Sequence, residues 1–153
     1  METFSFSYDK VKMTDLSAED RELCLQAIEA THGSYAPYSN YNVGAAIRLA
    51  TGEIICGSNQ ENSSYPCGTC AERTALNYAQ ASHPEDVVDT IAVASVQNGA
   101  TTQKPPYPCG MCRQSMAETE HRQKKDIRLL LVGAEEVLII PTASYLLPLA
   151  FRG

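Results

Sequence analysis

Cys70-Ala71-Glu72-Arg73 and Pro108-Cys109-Gly110-Met111-Cys112-Arg113 contain the residue types that a catalytic metal site needs. Cys109 and Cys112 are three residues apart, so one turn of chain can aim both sulfurs at one ion. Cys70 can supply a third thiolate from elsewhere in the fold. A zinc with three protein ligands keeps a position open for water, whereas a structural zinc is closed by four. Glu72, two residues after Cys70, can reach that open position without binding the ion. A second reading uses the same thiols. Cys67 and Cys70 form another Cys-x-x-Cys, which on paper makes a closed four-cysteine site with no activity. Its two pairs are separated by residues 71–108, longer than the roughly 15–20 residues of the compact zinc pattern. Four thiolates would also repel the Glu72 carboxylate. Spacing and Glu72 favour the open site, with one zinc per chain.

The elements that must position these groups follow from the pattern. Cys70 and Cys109 both fall at predicted helix starts, where unpaired N–H groups and the helix dipole favour a thiolate. Three thiolates and one zinc sum to a net −1, which weakens the ion as a Lewis acid. Arg73, beside Cys70 and Glu72, is the first candidate to donate to a thiolate and withdraw charge, and Arg113 the second. The plainer role for either arginine is a surface charge on a helix, and for Glu72 compensation of the helix dipole in the first turn. Adjacency to a ligand cysteine favours general acid/base chemistry for Glu72.

The rest of the chain reads as helices alternating with buried strands. Ser17 is an N-cap for a helix over Glu19 to about His32, with Gly33 as its C-cap. Val43–Leu49 and Glu53–Cys56 read as strands joined at Thr51-Gly52. Helices are expected from Cys70 to about Ala81 and from Gly110 to about Glu120. Strands are expected at Val87–Val96, Ile127–Val132 and Val137–Ile140, the first two being apolar runs that suit burial on both faces. Asn98–Pro108 is a Gly/Pro-rich loop, His121–Asp126 a solvated charged stretch, and Tyr145–Leu149 a last helical turn. This alternation predicts a layered α/β fold.

Composition narrows the function further. At 153 residues, 44% hydrophobic and 20% charged, the chain suits one domain over 1–153, with 1–15 as a loosely ordered arm. No apolar run approaches a membrane span and no signal peptide is visible. The six cysteines then suit a reduced, cytoplasmic protein with metal-binding thiols. A net charge of −6 and a pI near 5.0 argue against nucleic acid and for a small, weakly charged substrate.

The two cysteine segments resemble the cytidine deaminase family of the compact, homotetrameric, zinc-dependent type. Further similar stretches are Pro37-Tyr38-Ser39-Asn40-Tyr41-Asn42-Val43-Gly44, Gly57-Ser58-Asn59-Gln60-Glu61-Asn62, and Leu146-Leu147-Pro148-Leu149-Ala150-Phe151. The resemblance runs in order from about residue 17 to 151. It implies a three-layer α/β/α fold with a mixed central sheet of about five strands. It implies hydrolytic deamination of cytidine and deoxycytidine to uridine and deoxyuridine, within pyrimidine salvage. It makes Cys70, Cys109 and Cys112 the zinc ligands, Glu72 the proton shuttle and Arg73 the charge-compensating arginine. Asn59 and Glu61 would hold the ribose, with Tyr41, Ala71 and Phe151 as further substrate contacts, Phe151 reaching in from a neighbouring subunit. The family usually has Phe where this chain has Tyr41. Cys67 and a longer loop before Pro108 are departures from its pattern. A deaminase of a related amino-heterocycle, such as blasticidin S, is the nearest alternative.

Overall fold

Ser17 caps the first helix, its Oγ accepting the Asp20 N–H at 3.1 Å, which satisfies one of the orphan donors of the first turn. The computed structural model describes residues 1–153. Its strands are β1 Asp9–Val11, β2 Asn42–Leu49, β3 Ile54–Ser58, β4 Val88–Gln97, β5 Ala100–Thr101, β6 Arg128–Val132 and β7 Val137–Ile140. Its helices are α1 Ala18–Ala30, α2 Ala71–Ser82 and α3 Gly110–Gln123. The strands form one mixed sheet in the order β1-β7-β6-β4-β2-β3, with β5 on β4. Only β4 and β6 run parallel; antiparallel neighbours can be joined by a tight turn, but parallel ones need a crossover. Here α3 makes it.

The period of two along the strands divides the apolar side chains between two cores. Ala46, Ala92, Ala94, Leu130 and Val132 point to one face and pack with Leu23, Cys24 and Ala27 of α1. Ile47, Ile91, Val93, Leu129 and Leu131 point to the other and pack with Ala75 and Leu76 of α2 and Met116 of α3. The result is the expected three-layer α/β/α arrangement. Two glycines let the helices come close. A Cβ on Gly44 would stand 2.1 Å from the Ala27 carbonyl oxygen of α1, and one on Gly57 would stand 2.6 Å from the Ala75 nitrogen of α2. Larger residues at Gly57 would push away the helix whose first turn carries Glu72.

The β2–β3 hairpin closes at Thr51-Gly52 as predicted, and its register pairs Gly44 with Ser58. That register sets Tyr41 and Val43 beside Asn59 and Glu61 at one end of the hairpin. The sheet has seven strands rather than about five. The additions are β1, three residues on the edge strand β7, and β5, two residues inside the predicted loop. Neither is long enough to show a period. Residues 9–15 are therefore held: Lys10 pairs with Glu136 at 2.8 Å, and Arg21 donates to the Met13, Thr14 and Leu16 carbonyls. Phe4 meets the Tyr145 ring edge-on and Phe6 packs on it at a tilt.

Other boundaries moved for identifiable reasons. α1 ends at Ala30, because Thr31 turns its hydroxyl onto the Ile28 carbonyl and opens a 3-10 turn through Gly33. α3 continues to Gln123, whose side-chain amide bonds both the N–H and the carbonyl of Val88. Part of the stretch read as solvated is thus tied to β4. The last turn lies at Ala143–Leu146, not Tyr145–Leu149. Glu120 fixes it there. This buried carboxylate accepts the N–H groups of Ile127 at 2.8 Å, Ala143 at 2.9 Å and Ser144 at 3.1 Å, and the hydroxyls of Thr142 and Ser144. Glu120→Gln should set an amide among these donors and lower stability by about 3 kcal/mol, read from the urea denaturation midpoint. A change under about 0.5 kcal/mol would show that the cluster is dispensable.

Candidate metal centre and substrate pocket

Cys70 is the N-cap residue of α2 and Cys109 that of α3, and neither thiol is spent on a cap hydrogen bond. Cys112 lies in the first turn of α3 and is fully buried. The Cys70 and Cys109 sulfurs are 3.6 Å apart and those of Cys109 and Cys112 3.5 Å. All three lie within 4.8 Å of one another. A tetrahedral zinc with bonds of about 2.3 Å spaces its sulfurs by about 3.8 Å. The donor set and its spacing thus fit zinc. Cys67, exposed on a 3-10 turn at Tyr65–Cys67, is outside the cluster, so the four-thiol arrangement is not formed.

The electrostatics favour a thiolate at the cluster. Hydrogen bonds from Cys112 and Cys109, with the Arg73 guanidinium, bring the Cys70 thiol down to about 5 against the cost of its burial. Cys112, which makes the reciprocal bond and is buried beside Glu72, is pushed up. Arg73 donates to the Gly68 carbonyl at 3.3 Å, while its buried Nε has no partner. Arg113 serves otherwise. It donates to the Pro108 carbonyl at 2.7 Å and to the Leu146 carbonyl at 3.0 Å. It braces the turn before Cys109 against the C-terminal segment rather than a sulfur.

Glu72 is buried on the first turn of α2 and lines a cavity of about 420 Å³ together with Cys70, Ala71, Cys109 and Tyr41. Burial, and then the Cys70 charge, push its carboxyl above the usual range. That brings it nearer to neutrality, where a group can both take and return a proton. Asn59 and Glu61 line the same cavity. The Asn59 Oδ1 accepts from the Val43 N–H at 2.8 Å and from the Ser34 hydroxyl, and its Nδ2 donates to the Tyr41 carbonyl at 2.9 Å. One amide N–H is left to give. The Glu61 Oε2 accepts the N–H groups of Tyr38 and Ser39. The Ser39 side chain and those backbone bonds hold Glu61 below the usual carboxylate range. An ionised acceptor and a free donor thus stand side by side, a pair suited to a sugar hydroxyl.

One site residue from the sequence stands apart. Phe151 is exposed and lines no part of the cavity in its own chain; its carbonyl accepts from the Gln114 amide at 3.0 Å. The structure also adds residues that sequence reasoning passed over, notably Pro106 and Tyr107 in the cavity wall. Their place directly before Pro108-Cys109 was the available signal, since a residue next to a metal ligand borders the site. A second cavity, lined by Tyr38, Tyr65, Arg73 and Met111, shares Asn59, Glu61 and Cys70 with the first and continues it outward.

Comparison with known proteins gives a consistent picture. A family model described as "Cytidine and deoxycytidylate deaminase zinc-binding region" matches residues 17–125. The chain is 43% identical over 133 residues to a cytidine deaminase of Halalkalibacterium halodurans, covering 86% of this chain and 94% of that one. Among solved structures it is similar to a cytidine deaminase from Burkholderia pseudomallei. The TM-score is 0.72 and the identity 38%, covering 85% of this chain and 97% of the other. A cytidine deaminase from Mycobacterium tuberculosis is similar at a TM-score of 0.68 and 27% identity, covering 90% and 100%.

Proposed function

The chain belongs to the cytidine and deoxycytidylate deaminase family, and on that premise we propose how its residues carry out hydrolytic deamination of cytidine to uridine and ammonia. The observation that carries this reading is the cluster of three thiols, two of which, Cys70 and Cys109, line one cavity together with the buried Glu72 carboxylate. Cys70, Cys109 and Cys112 would hold one zinc per chain, with Arg73 withdrawing charge from the Cys70 sulfur. Zinc in that cradle would bring the pKa of a bound water towards neutrality. Glu72 takes a proton from the attacking water and gives it to N3 of the base, then carries the remaining hydroxyl proton to the C4 amino group, which leaves as ammonia while the oxygen stays as the C4 carbonyl. Tyr41 and Ala71 border the base. Asn59 gives its free N–H to the ribose, and Glu61 accepts a ribose hydroxyl, which distinguishes a nucleoside from a free base. Asn59 and Glu61 would hold the 3′-hydroxyl, which deoxycytidine keeps, so deoxycytidine falls within reach of the same site.

Residues 1–153 work as one deaminase unit in pyrimidine salvage. No helix is long and apolar enough to cross a membrane, and free thiols suit a reduced cytoplasm. Phe151, exposed and absent from its own cavity, would enter the site of a neighbouring chain in a homotetramer with closed symmetry.

Two experiments test this. Glu72→Gln keeps the shape of the side chain and removes the shuttle. It should retain zinc and lose cytidine turnover by about a hundredfold to ten-thousandfold, while the unaltered protein turns over cytidine far better than cytosine. Near-normal turnover in the variant, or equal rates on the two substrates, would contradict the assignment. Light scattering should give a mass near four chains, and a fully active monomer would remove Phe151 from the site.

A further inference from the structure

Tyr41 carries a hydroxyl that the cavity does not use. It donates instead to the Oγ of Ser95, a fully buried residue of β4, at 2.9 Å. The Ser95 Oγ lies 2.6 Å from the Thr102 Oγ1, and the Thr102 hydroxyl donates to the Lys104 carbonyl at 2.8 Å. Each hydroxyl has one proton to give. The proton of Thr102 is spent on Lys104, so Ser95 must donate to Thr102 and Tyr41 to Ser95. The chain therefore has one direction, with every proton assigned, and leaves the Tyr41 hydroxyl no proton for a substrate. Its role is to hold the ring.

Thr102 is the root of the segment that leads to the site. Its N–H donates to the Ser95 carbonyl at 3.0 Å and its carbonyl accepts the Ala134 N–H at 3.0 Å. From there the chain passes through buried Pro105 and Pro106 to Tyr107, Pro108 and Cys109. Pro106 and Tyr107 line the same cavity as Tyr41. Ser95 is thus a fully buried residue whose hydroxyl bonds both the Tyr41 hydroxyl and Thr102, the root of the Pro106–Tyr107 wall.

We infer that Ser95 is a positioning and specificity-determining residue: through Tyr41 and Thr102 it joins two walls of the cavity and sets the room available to the base. This rests on reading the cavity as the cytidine site. With the links intact, both walls are fixed before substrate enters, and a base larger than cytosine meets a wall that does not yield. With the links broken, ring and loop move independently. Cytidine is held less well, and a bulkier base is discriminated against less.

The test uses the zinc-loaded protein with cytidine and 5-methylcytidine as substrates. Ser95→Ala breaks both links. It should raise KM for cytidine about fivefold, with a smaller change in kcat, and lower the preference for cytidine over 5-methylcytidine several-fold, within the range of couplings measured for groups in direct contact. Tyr41→Phe breaks one link, and Thr102→Val breaks the other together with the bond to the Lys104 carbonyl; both keep the side chain's shape, so they carry the test if Ser95→Ala fails to fold. Combined, they should raise KM little more than the larger single effect, because a chain cut once is already cut. Unchanged KM and unchanged preference in the variants would overturn the inference, as would single effects that simply multiply. No turnover of cytidine by the unaltered protein would overturn the functional reading itself.

Discussion

Three sulfurs within 4.8 Å of one another are held together by two helix starts, and that convergence is the constraint the rest of the fold has to meet. Thiolates at such spacing repel one another unless a cation or hydrogen-bond donors stand among them. The unpaired N–H groups at the starts of α2 and α3 supply part of the compensation, and the Arg73 guanidinium supplies more. Hydrogen bonds from Cys112 and Cys109, together with Arg73, bring the Cys70 thiol down to about 5.

Aiming two helices at one point requires that both be fixed along their length. α2 lies against the sheet at Gly57, where no larger residue fits, and its apolar side chains join the larger core. α3 is fixed at both ends: Arg113 bridges the Pro108 and Leu146 carbonyls at the start, and Gln123 grips Val88 at the finish. Glu120 then binds the turn at Ala143–Leu146 to the same helix. Placement of Cys109 and Cys112 therefore draws on contacts from β4 to the C-terminal segment.

Much of the metal centre was legible because it is local. Cys109 and Cys112 sit on one turn, Cys70 and Glu72 on another, and period and capping rules place both turns. The α/β layering was legible for the same reason, since Ile91–Ala94 and Leu129–Val132 are long enough to show their character. What escaped was either too short or not local. β1 and β5 have three residues and two, and a strand that short is specified by its partner. The end of α3 depends on Gln123 meeting Val88, and Arg113 joins the nearby Pro108 carbonyl to the distant Leu146 carbonyl. The wall formed by Pro106 and Tyr107, and the hydroxyl chain through Ser95 and Thr102, exist only once β4 and the following loop are folded. Cys67 is the converse case. Its spacing offers a fourth thiol on paper, but the 3-10 turn at Tyr65–Cys67 holds it away from the other three.

The proposed chemistry requires an ion held by three thiolates with a position left open. Zinc-edge X-ray absorption on the zinc-loaded protein counts the sulfurs around the ion directly. It should show three sulfurs and one oxygen per zinc, with sulfur distances of about 2.3 Å. Four sulfurs would bring Cys67 into the site, close it to water, and contradict the account.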